Sequence, residues 1–347
     1  MQQRSNSYWA KRADQRMATY HRSADVTVQT ITKSYDKAIK DIQSEIEKIF
    51  STYGTNGHID PITAKKVLNQ RIPNPFLSLA KMVLPKVQNE KVRHWILNRV
   101  NAPAYRARIT RLEALKESVF LQSRLIADAE ITVSTAGYIK TINEAYYRTM
   151  FDLQKGIGLG FDFGSMPTRT IETILKNPWS GQQFSNRVWD NTDVLAVRMN
   201  EVITAGFMSG ADIRKMVAEL EDLSMMGKHA ANRLVRTETT YMANAAEMES
   251  YEEAEIEEYQ FIATLDNRTS PQCQENDLKV FAVKDAKPGI SMPPLHPYCR
   301  STTVAYFGTE TRSNIQRRAR NPVTGKNELI PADMNYKDWH KKYVKAA

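Results

Sequence analysis

The helical spacing of apolar residues near the N-terminus constrains the fold more than any other feature of this chain. From Val28 onwards these residues recur in alternating steps of three and four, at Val28, Ile31, Tyr35, Ile39, Ile42, Ile46, Ile49 and Tyr53. Such spacing places them on one face of an α-helix. We therefore predict one long helix over the first 53 residues, ending at the glycine-containing segment TYGTNGHIDP.

A second long helical pattern begins near Arg106 and ends at the segment KGIGLGFDFGSMP. Its apolar residues keep the same spacing, at Ile126, Ala129, Val133, Ala136, Ile139, Ile142, Tyr146, Met150 and Leu153. Shorter helices are predicted over 184–207, over 210–220 with Ser209 as its cap, and over 229–259. The fold class is therefore mainly α.

The pattern changes after Tyr259. Three short segments, YQFIAT, KVFAV and STTVAYF, are rich in β-branched and aromatic residues and are separated by turn residues. We predict an elongated helical region over 1–225 and a small α+β module over 226–308. A basic tail over 309–347 carries Tyr336, Trp339 and Tyr343 at helical spacing behind Asn335, which predicts a terminal amphipathic helix packed as an end-cap.

Positive charge is concentrated in the N-terminal third. The chain has a net charge of +9, but residues 1–125 hold 22 Lys/Arg against 10 Asp/Glu, whereas 126–347 hold 26 against 29. An excess of this kind favours double-stranded DNA without regard to sequence, and a solvated basic surface is the alternative interpretation. We expect no membrane segment and no secretory signal, hence assembly in a cytoplasm, because no apolar run is long enough.

Three residues with soft ligand atoms lie close together in the module. The chain's two cysteines are Cys273 and Cys299, and His296 stands three residues before the second of them in a proline-bounded turn. Two turns carrying these side chains could hold zinc, with Asp277, Glu275 or water as the fourth ligand. Two alternatives stay open: a reduced cysteine pair close in space, or unrelated core residues.

Charged residues surround these ligands in the sequence, and they support two interpretations. In the enzymatic one, His296 is a general acid or base and Arg300 or Arg236 stabilises a phosphate anion. In the structural one, Asp266 caps a turn through its side-chain oxygen, and Arg236 and Arg300 pair with Glu238 and backbone carbonyls. The second is favoured, because no nucleophile with an orienting base is evident in the sequence.

These segments together resemble the head morphogenesis domain of tailed phages, the Mu F-like minor head proteins. The resemblance rests on RTETTYMANAAE, on ATLDNRTSPQCQENDLKVF and on PPLHPYCRSTTVAYF. The matching residues are Arg236, Thr237, Glu238, Leu265, Asp266, Arg268, Thr269, Cys273, Asp277, Lys279, Val280, Phe281, Pro293, Pro294, His296, Pro297, Cys299 and Arg300. Two positions depart from the pattern: Leu278 stands where a glycine is usual, and Ser301 where a second cysteine is common.

The resemblance implies a structural virion component rather than an enzyme. Such a protein is a minor head (capsid) protein inside the capsid, assembled in the bacterial host cytoplasm. It is associated with the portal protein, with the major capsid or scaffolding protein and with packaged DNA, in head assembly and DNA ejection. Two alternatives remain: a nuclease-like enzyme centred on His296, Arg300 and Asp266, and a helical adaptor that binds only protein.

Overall fold

The computed structural model describes residues 6–101, 108–157, 164–308, 316–320, 327–331 and 334–343. The chain is 71% helical, which confirms the predicted fold class. It divides into two compact units. Unit 1 comprises 1–26, 135–183 and 233–347, and unit 2 comprises 27–134 and 184–232. The domain boundaries near 225 and 308 remain a sequence-based prediction.

Helices make up most of both units. Within the described residues they are α1 (Asn6–Tyr53), α2 (Pro61–Leu68), α3 (Pro75–Val83), α4 (Glu90–Asn101), α5 (Arg111–Ile157), α6 (Thr168–Lys176), α7 (Phe184–Ser209), α8 (Ile213–Glu253), α9 (Pro271–Asn276) and α10 (Tyr336–Tyr343). The first helix confirms the predicted long N-terminal helix. None of the helices in these ranges has the length and apolar content to cross a membrane.

In the part of the chain that the structure describes, the strands form three small antiparallel sheets. They are β1 (Arg71–Pro73), β2 (Arg108–Thr110), β3 (Glu258–Ile262), β4 (Val280–Ala282), β5 (Thr302–Ala305), β6 (Gln316–Arg320) and β7 (Asn327–Pro331). Strand β1 pairs with β2, β6 pairs with β7, and the central sheet has the order β4-β3-β5. The three strands of the central sheet lie in the three segments that the sequence predicted.

Helix α8 differs from the sequence prediction. The two helices expected over 210–220 and 229–259 are a single helix, α8, which continues through the intervening Gly227. Its cap is not Ser209, whose hydroxyl donates to the Gly206 carbonyl at 3.2 Å. Asp212 caps it instead, since its carboxylate accepts from the Arg214 backbone N–H at 2.7 Å.

The core of unit 1 lies on the central sheet. On one side Trp9 and Ala13 of α1 pack against Ile262 and Val304. Elsewhere Phe261 packs with both cysteines, and the terminal helix places Tyr336 and Trp339 against Leu265, Ala319 and Ile330. The tail helix is therefore a packed end-cap, as expected.

A buried charge cluster ties together the helical part of unit 1. Arg16 of α1 hydrogen-bonds Asp152 of α5 and lies 3.4 Å from the Glu247 carboxylate of α8. Glu247 also accepts from the Thr302 and Thr303 hydroxyls of β5, each at 3.3 Å. Removing one member of such a cluster leaves a buried charge without compensation, so the cluster fixes which helix faces meet.

Unit 2 has a separate core. Helices α3 and α4 contribute Phe76, Ala80, Val92 and Ile96, which pack against Leu121 of α5. Helices α1 and α8 approach closely at Gly227, where an added Cβ would lie 2.5 Å from the Tyr35 ring. A larger residue at this position would force the two helices apart.

Candidate metal centre

Cys273 is positioned by a short helix rather than by the turn that the sequence predicted. Helix α9 begins with Pro271 behind Ser270, whose side chain accepts from the Cys273 backbone N–H at 3.4 Å. A serine cap followed by proline at the first helical position favours helix initiation. This local structure turns the Cys273 side chain into the core, where it is 1% exposed.

His296 and Cys299 lie at the two ends of one tight turn. The Cys299 backbone N–H donates to the His296 carbonyl at 3.2 Å, and Tyr298 between them has a φ of 60°. His296 Nδ1 lies 2.8 Å from the Pro297 carbonyl oxygen. The turn leaves the His296 side chain half-buried and buries Cys299 completely.

Two threonines on one face of α8 hold this turn. The Tyr298 backbone N–H donates to the Thr237 hydroxyl oxygen at 3.0 Å, and the Thr240 hydroxyl donates to the Cys299 carbonyl at 2.7 Å. Residues three apart lie on the same side of a helix, so both can reach the turn. His21 of α1 is also close, since its Nε2 atom lies 3.3 Å from the Thr240 hydroxyl.

The structure thus brings Cys273, His296 and Cys299 together. Their ligand atoms all lie within 4.8 Å of one another, and the two sulfurs are 3.7 Å apart. Two thiolates on a tetrahedral zinc, each about 2.3 Å from the metal, are about 3.8 Å apart. The donor set and its spacing therefore fit zinc.

The two thiols differ in acidity. The hydrogen bond that Cys273 donates lowers the pKa of Cys299, and the same bond raises the pKa of Cys273. The hydrogen bond between His296 and Cys299 also raises the pKa of His296. The first thiolate to form is thus at Cys299, and a thiolate is the form that ligates a metal.

No carboxylate completes this set among the described residues. The Asp277 carboxylate accepts from the backbone N–H groups of Ala263 and Tyr336, both at 3.0 Å, so it links the core strand to the terminal helix. Glu275 is exposed and is not part of the ligand group. The Ser301 side chain does reach a ligand residue, because it hydrogen-bonds the Cys273 thiol. A metal here would take three protein ligands and leave the fourth position to water.

Asp266 and Arg300 form a structural pair beside the ligands. The Arg300 guanidinium donates to both carboxylate oxygens, at 2.5 and 2.8 Å. Asp266 also accepts from the Arg268 backbone N–H at 2.9 Å, which is the turn cap that the sequence suggested. Burial alone would raise the pKa of Asp266, but the hydrogen bond and charge of Arg300 outweigh it, so that pKa is lowered. A carboxylate committed in this way favours bracing over general-base chemistry.

Arg236 and Glu238 lie close to this region but do not pair as the structural interpretation assumed. Arg236 forms an ion pair with Asp25 of α1. Glu238 instead accepts from the Trp179 indole N–H at 3.0 Å. The reason is geometric, since residues two apart on α8 point to different sides of the helix.

Comparison with known proteins gives a match to one part of the chain. A three-stranded sheet, a helix with two threonines that hold a turn, and a Cys/His cluster lie together in unit 1. Residues 198–304, less than a third of the chain, match the family described as Phage Mu protein F like protein. Comparisons with curated proteins and with solved structures gave no match.

The expected resemblance is therefore confirmed, and the chain carries a Mu F-like region. This match supports a phage head morphogenesis protein with capsid-related partners. It is also consistent with a structural role rather than an enzymatic one.

Proposed function

We propose that the chain is a minor structural protein of a tailed-phage head that works in head assembly, contacts the portal and associates with packaged DNA inside the capsid. The match of residues 198–304 to the Mu F-like family is the observation that carries this proposal. The paired state of Asp266 and Arg300 supports a bracing role for the module.

Part of α1 within unit 2 supports the contact with DNA. Three of its four acidic side chains are engaged inside the unit: Asp36 pairs with Lys228 at 2.5 Å, Asp41 accepts from Gln122 at 3.1 Å, and Glu45 accepts from Ser118 at 2.8 Å, while Glu47 is exposed. Nearby, Lys33, Lys37 and Lys40 are exposed and lie on one helix face. The outward face is therefore positive over residues 33–40, although the helix sequence is mixed.

Not every cation of the first third is available for a polyanion. In unit 1, Arg12 and Arg16 bind Asp152. In unit 2, Arg124 pairs with Asp193 at 2.5 Å and Arg99 pairs with Glu117 at 3.3 Å. Among the exposed cations of the predicted DNA-binding region, we propose that the row Lys33, Lys37 and Lys40 contacts phosphate.

The test is duplex binding measured by fluorescence anisotropy between about 50 and 200 mM salt, on two unrelated sequences. Affinity should fall steeply with salt and not depend on sequence. Replacing Lys33, Lys37 and Lys40 with glutamine should reduce the slope of log K against log salt by about two to three, since each phosphate contact contributes about 0.9. The matched control replaces Lys279, Lys284 and Lys287, which are exposed in the module, and should leave the slope unchanged.

Four outcomes would contradict the proposal. Salt-independent binding, or equal effects of the two triple variants, would remove the DNA contact on α1. No binding to duplex together with co-purification with a portal ring would indicate the protein-only adaptor. Duplex cleavage that is lost in His296→Ala, with the fold intact, would indicate the nuclease.

We also propose that Cys273, His296 and Cys299 hold a structural zinc ion. The sulfur spacing of 3.7 Å and the burial of both cysteines support it. The metal would join α9 to the turn after β4 and so supplement the small core beneath them. No step of a reaction is assigned to it.

Elemental analysis of protein purified without chelator tests this site. The proposal predicts about one equivalent of zinc, and less than about a tenth of an equivalent contradicts it. Cys273→Ser and Cys299→Ser should each lose the metal. His229→Asn, which removes a histidine outside the ligand group, should retain it.

A further inference from the structure

A groove with a volume of about 680 Å³ lies between α9 and α10 in unit 1. Lys337 and Lys341 line it from α10, one turn apart, and Lys279 lines it from the segment that follows α9. All three lysines are exposed, and none of them forms an ion pair within the described part of the chain. The carboxylates of the lining are Glu275, which is exposed, and Asp277, which is buried and accepts two backbone N–H groups. The side of the groove that faces solvent is therefore positive.

The two walls of this groove are fixed to the core of unit 1. The Tyr336 backbone N–H donates to the Asp277 carboxylate at 3.0 Å, and the Tyr336 hydroxyl donates to the Asp266 carbonyl at 3.2 Å. Trp339, on the same helix, is 1% exposed. On the other wall, Asp277 also accepts from the Ala263 backbone N–H at 3.0 Å. The lysines thus project from rigid elements, so a partner loses no affinity to ordering of the backbone around them.

An acidic segment of the same unit carries the complementary charge. Residues 252–258, at the end of α8 and the start of β3, contain five glutamates and no Lys or Arg. All five are exposed, and none of them forms an ion pair among the residues that the structure describes, although Glu253 accepts from the Tyr146 hydroxyl. Burial, followed by the charges of Glu252 and Glu253, raises the pKa of the neighbouring Glu249. The negative charge of this segment is therefore not compensated inside the unit.

The backbone holds the acidic segment in one tight turn. The Ile256 backbone N–H donates to the Tyr251 carbonyl at 2.8 Å, and Tyr251 is 1% exposed. Between them, Glu255 has a φ of 54°, a conformation that favours glycine at the end of a helix. The five carboxylates are thus carried by a turn of defined shape, as the lysines are carried by the walls of the groove.

The groove and the acidic segment lie towards opposite ends of β3. Glu258 is the first residue of this strand, whereas Asp277 in the groove is bonded to Ala263, just beyond its last residue. Five residues of extended strand span about 16 Å. An ion pair requires a nitrogen–oxygen distance of about 4 Å or less. The two patches therefore do not neutralise each other within one copy of the chain.

We propose that the groove binds the acidic segment, residues 252–258, of a second copy of this chain. Complementary patches at two different places on one molecule give a head-to-tail contact, in which each copy offers its groove to one neighbour and its segment to another. Exposed ion pairs contribute less than about fivefold in affinity each, so the association is weak and falls with salt. It uses neither the zinc ligands nor the lysine row of α1.

Sedimentation velocity of the full-length chain, freed of nucleic acid, tests this contact. The mean mass should rise with concentration between about 1 μM and 1 mM at about 0.1 M salt, and the rise should disappear at about 1 M salt. The groove variant, Lys337→Gln with Lys341→Gln, should weaken self-association at least about tenfold, because two of the three cations are removed. The matched control is Lys284→Gln with Lys287→Gln, which removes the same charge from exposed lysines outside the groove and should associate as the wild type does.

A second variant shows whether the contact is head-to-tail. The segment variant, Glu255→Gln with Glu257→Gln, should also weaken self-association about tenfold. An equimolar mixture of the groove variant and the segment variant should form a dimer and nothing larger, because the mixture pairs one intact groove with one intact segment. A contact between two identical patches would not give this result.

One further variant separates binding from folding at position 255. Glu255→Gly removes one carboxylate and places glycine where φ is positive, so Tm should not fall. The same variant should weaken self-association about two- to fivefold. A fall in Tm with unchanged self-association would make Glu255 a structural residue and remove it from the contact.

Other results would overturn the proposal. One is a wild type that stays monomeric over the whole concentration range at the lower salt. Another is an equal loss of association in the groove variant and its lysine control, because net charge alone would then account for it. A third is a mixture of the groove and segment variants that stays monomeric. Loss of duplex affinity in the groove variant, with self-association unchanged, would assign the groove to DNA.

Discussion

Ser301 limits the number of sulfur ligands that the candidate metal centre can offer. It is 2% exposed and its hydroxyl hydrogen-bonds the Cys273 thiol, so a thiol at this position would face the same cluster. Ser301→Cys should complete a Cys₃His set and replace water as the fourth ligand. Structural zinc sites use four protein ligands, so we expect zinc to bind at least about tenfold more tightly.

Competition with a chromophoric zinc chelator measures this affinity. The matched control is Ser291→Cys, which adds a thiol at a buried serine that instead accepts from the Lys287 backbone N–H at 3.0 Å. Equal affinity in wild type and Ser301→Cys would show that position 301 does not reach the metal.

Single residues were predictable where the signal is local. The spacing of His296 and Cys299 was visible in the sequence, and so was the turn cap at Asp266. The partners were not, because Arg236 pairs with Asp25 and Thr240 bonds Cys299 across long stretches of chain. Such pairs depend on which helix faces pack together, and this packing cannot be predicted from a single sequence.

At the scale of elements, α8 supports the turn that carries His296 and Cys299. Thr240→Val keeps the side-chain shape but leaves the buried Cys299 carbonyl without its hydroxyl partner. We expect the free energy of unfolding to fall by about 1–3 kcal/mol. Zinc affinity should fall about tenfold, because the turn that carries two ligands is less fixed.

The neighbouring threonine provides a control. The Thr239 hydroxyl bonds the Val235 carbonyl of its own helix at 2.8 Å, and Thr239 is as buried as Thr240. Thr239→Val should therefore change stability by less than about 1 kcal/mol and leave zinc binding unaltered. Chemical denaturation and chelator competition on both variants test the contrast, and equal losses would contradict it.

Elements were predictable in proportion to the regularity of their apolar pattern. Helix α1 and the central sheet carry strong patterns and were recovered. Strands β6 and β7 were missed because the first reads Gln-Arg-Arg-Ala-Arg, in which a single apolar residue gives no alternation. Backbone pairing and the burial of Ala319 and Ile330 beneath α10 specify them instead.

At the scale of the whole molecule, each unit is assembled from segments that are distant in sequence. Unit 1 collects 1–26, 135–183 and 233–347, and α1, α5 and α8 each contribute part of their length to it. Apolar periodicity is a local property. It predicts where a helix lies, but not which part of that helix belongs to unit 1 and which to unit 2. Buried polar groups such as Arg16 and Glu247 help to define that grouping, because they are satisfied in only one arrangement.

Each unit contains a buried group that makes its stability depend on pH, and the two dependences run in opposite directions. In unit 2, Glu130 accepts from the Tyr35 hydroxyl at 3.3 Å, and burial raises its pKa to about 7. The folded-state pKa of Glu130 lies above the unfolded value. Its contribution to the free energy of unfolding is therefore complete below about pH 4.5 and is lost as pH rises through 7. In unit 1, burial lowers the pKa of His21 to about 4. Its contribution is therefore complete above about pH 6.5 and is lost as pH falls towards 4.

Neutral variants isolate each group. Glu130→Gln should gain stability over the wild type as pH rises, by about 3 kcal/mol between pH 4 and 8, whereas His21→Asn should gain about 2 kcal/mol as pH falls from 8 to 5. Hydrogen exchange of backbone amides measures each unit separately, with zinc content held constant. The first difference should appear in α1 beyond residue 27 and in the first half of α5, and the second in α1 before residue 26 and in the second half of α8. If both variants change with pH in the same direction, burial does not set the charge state of these two groups.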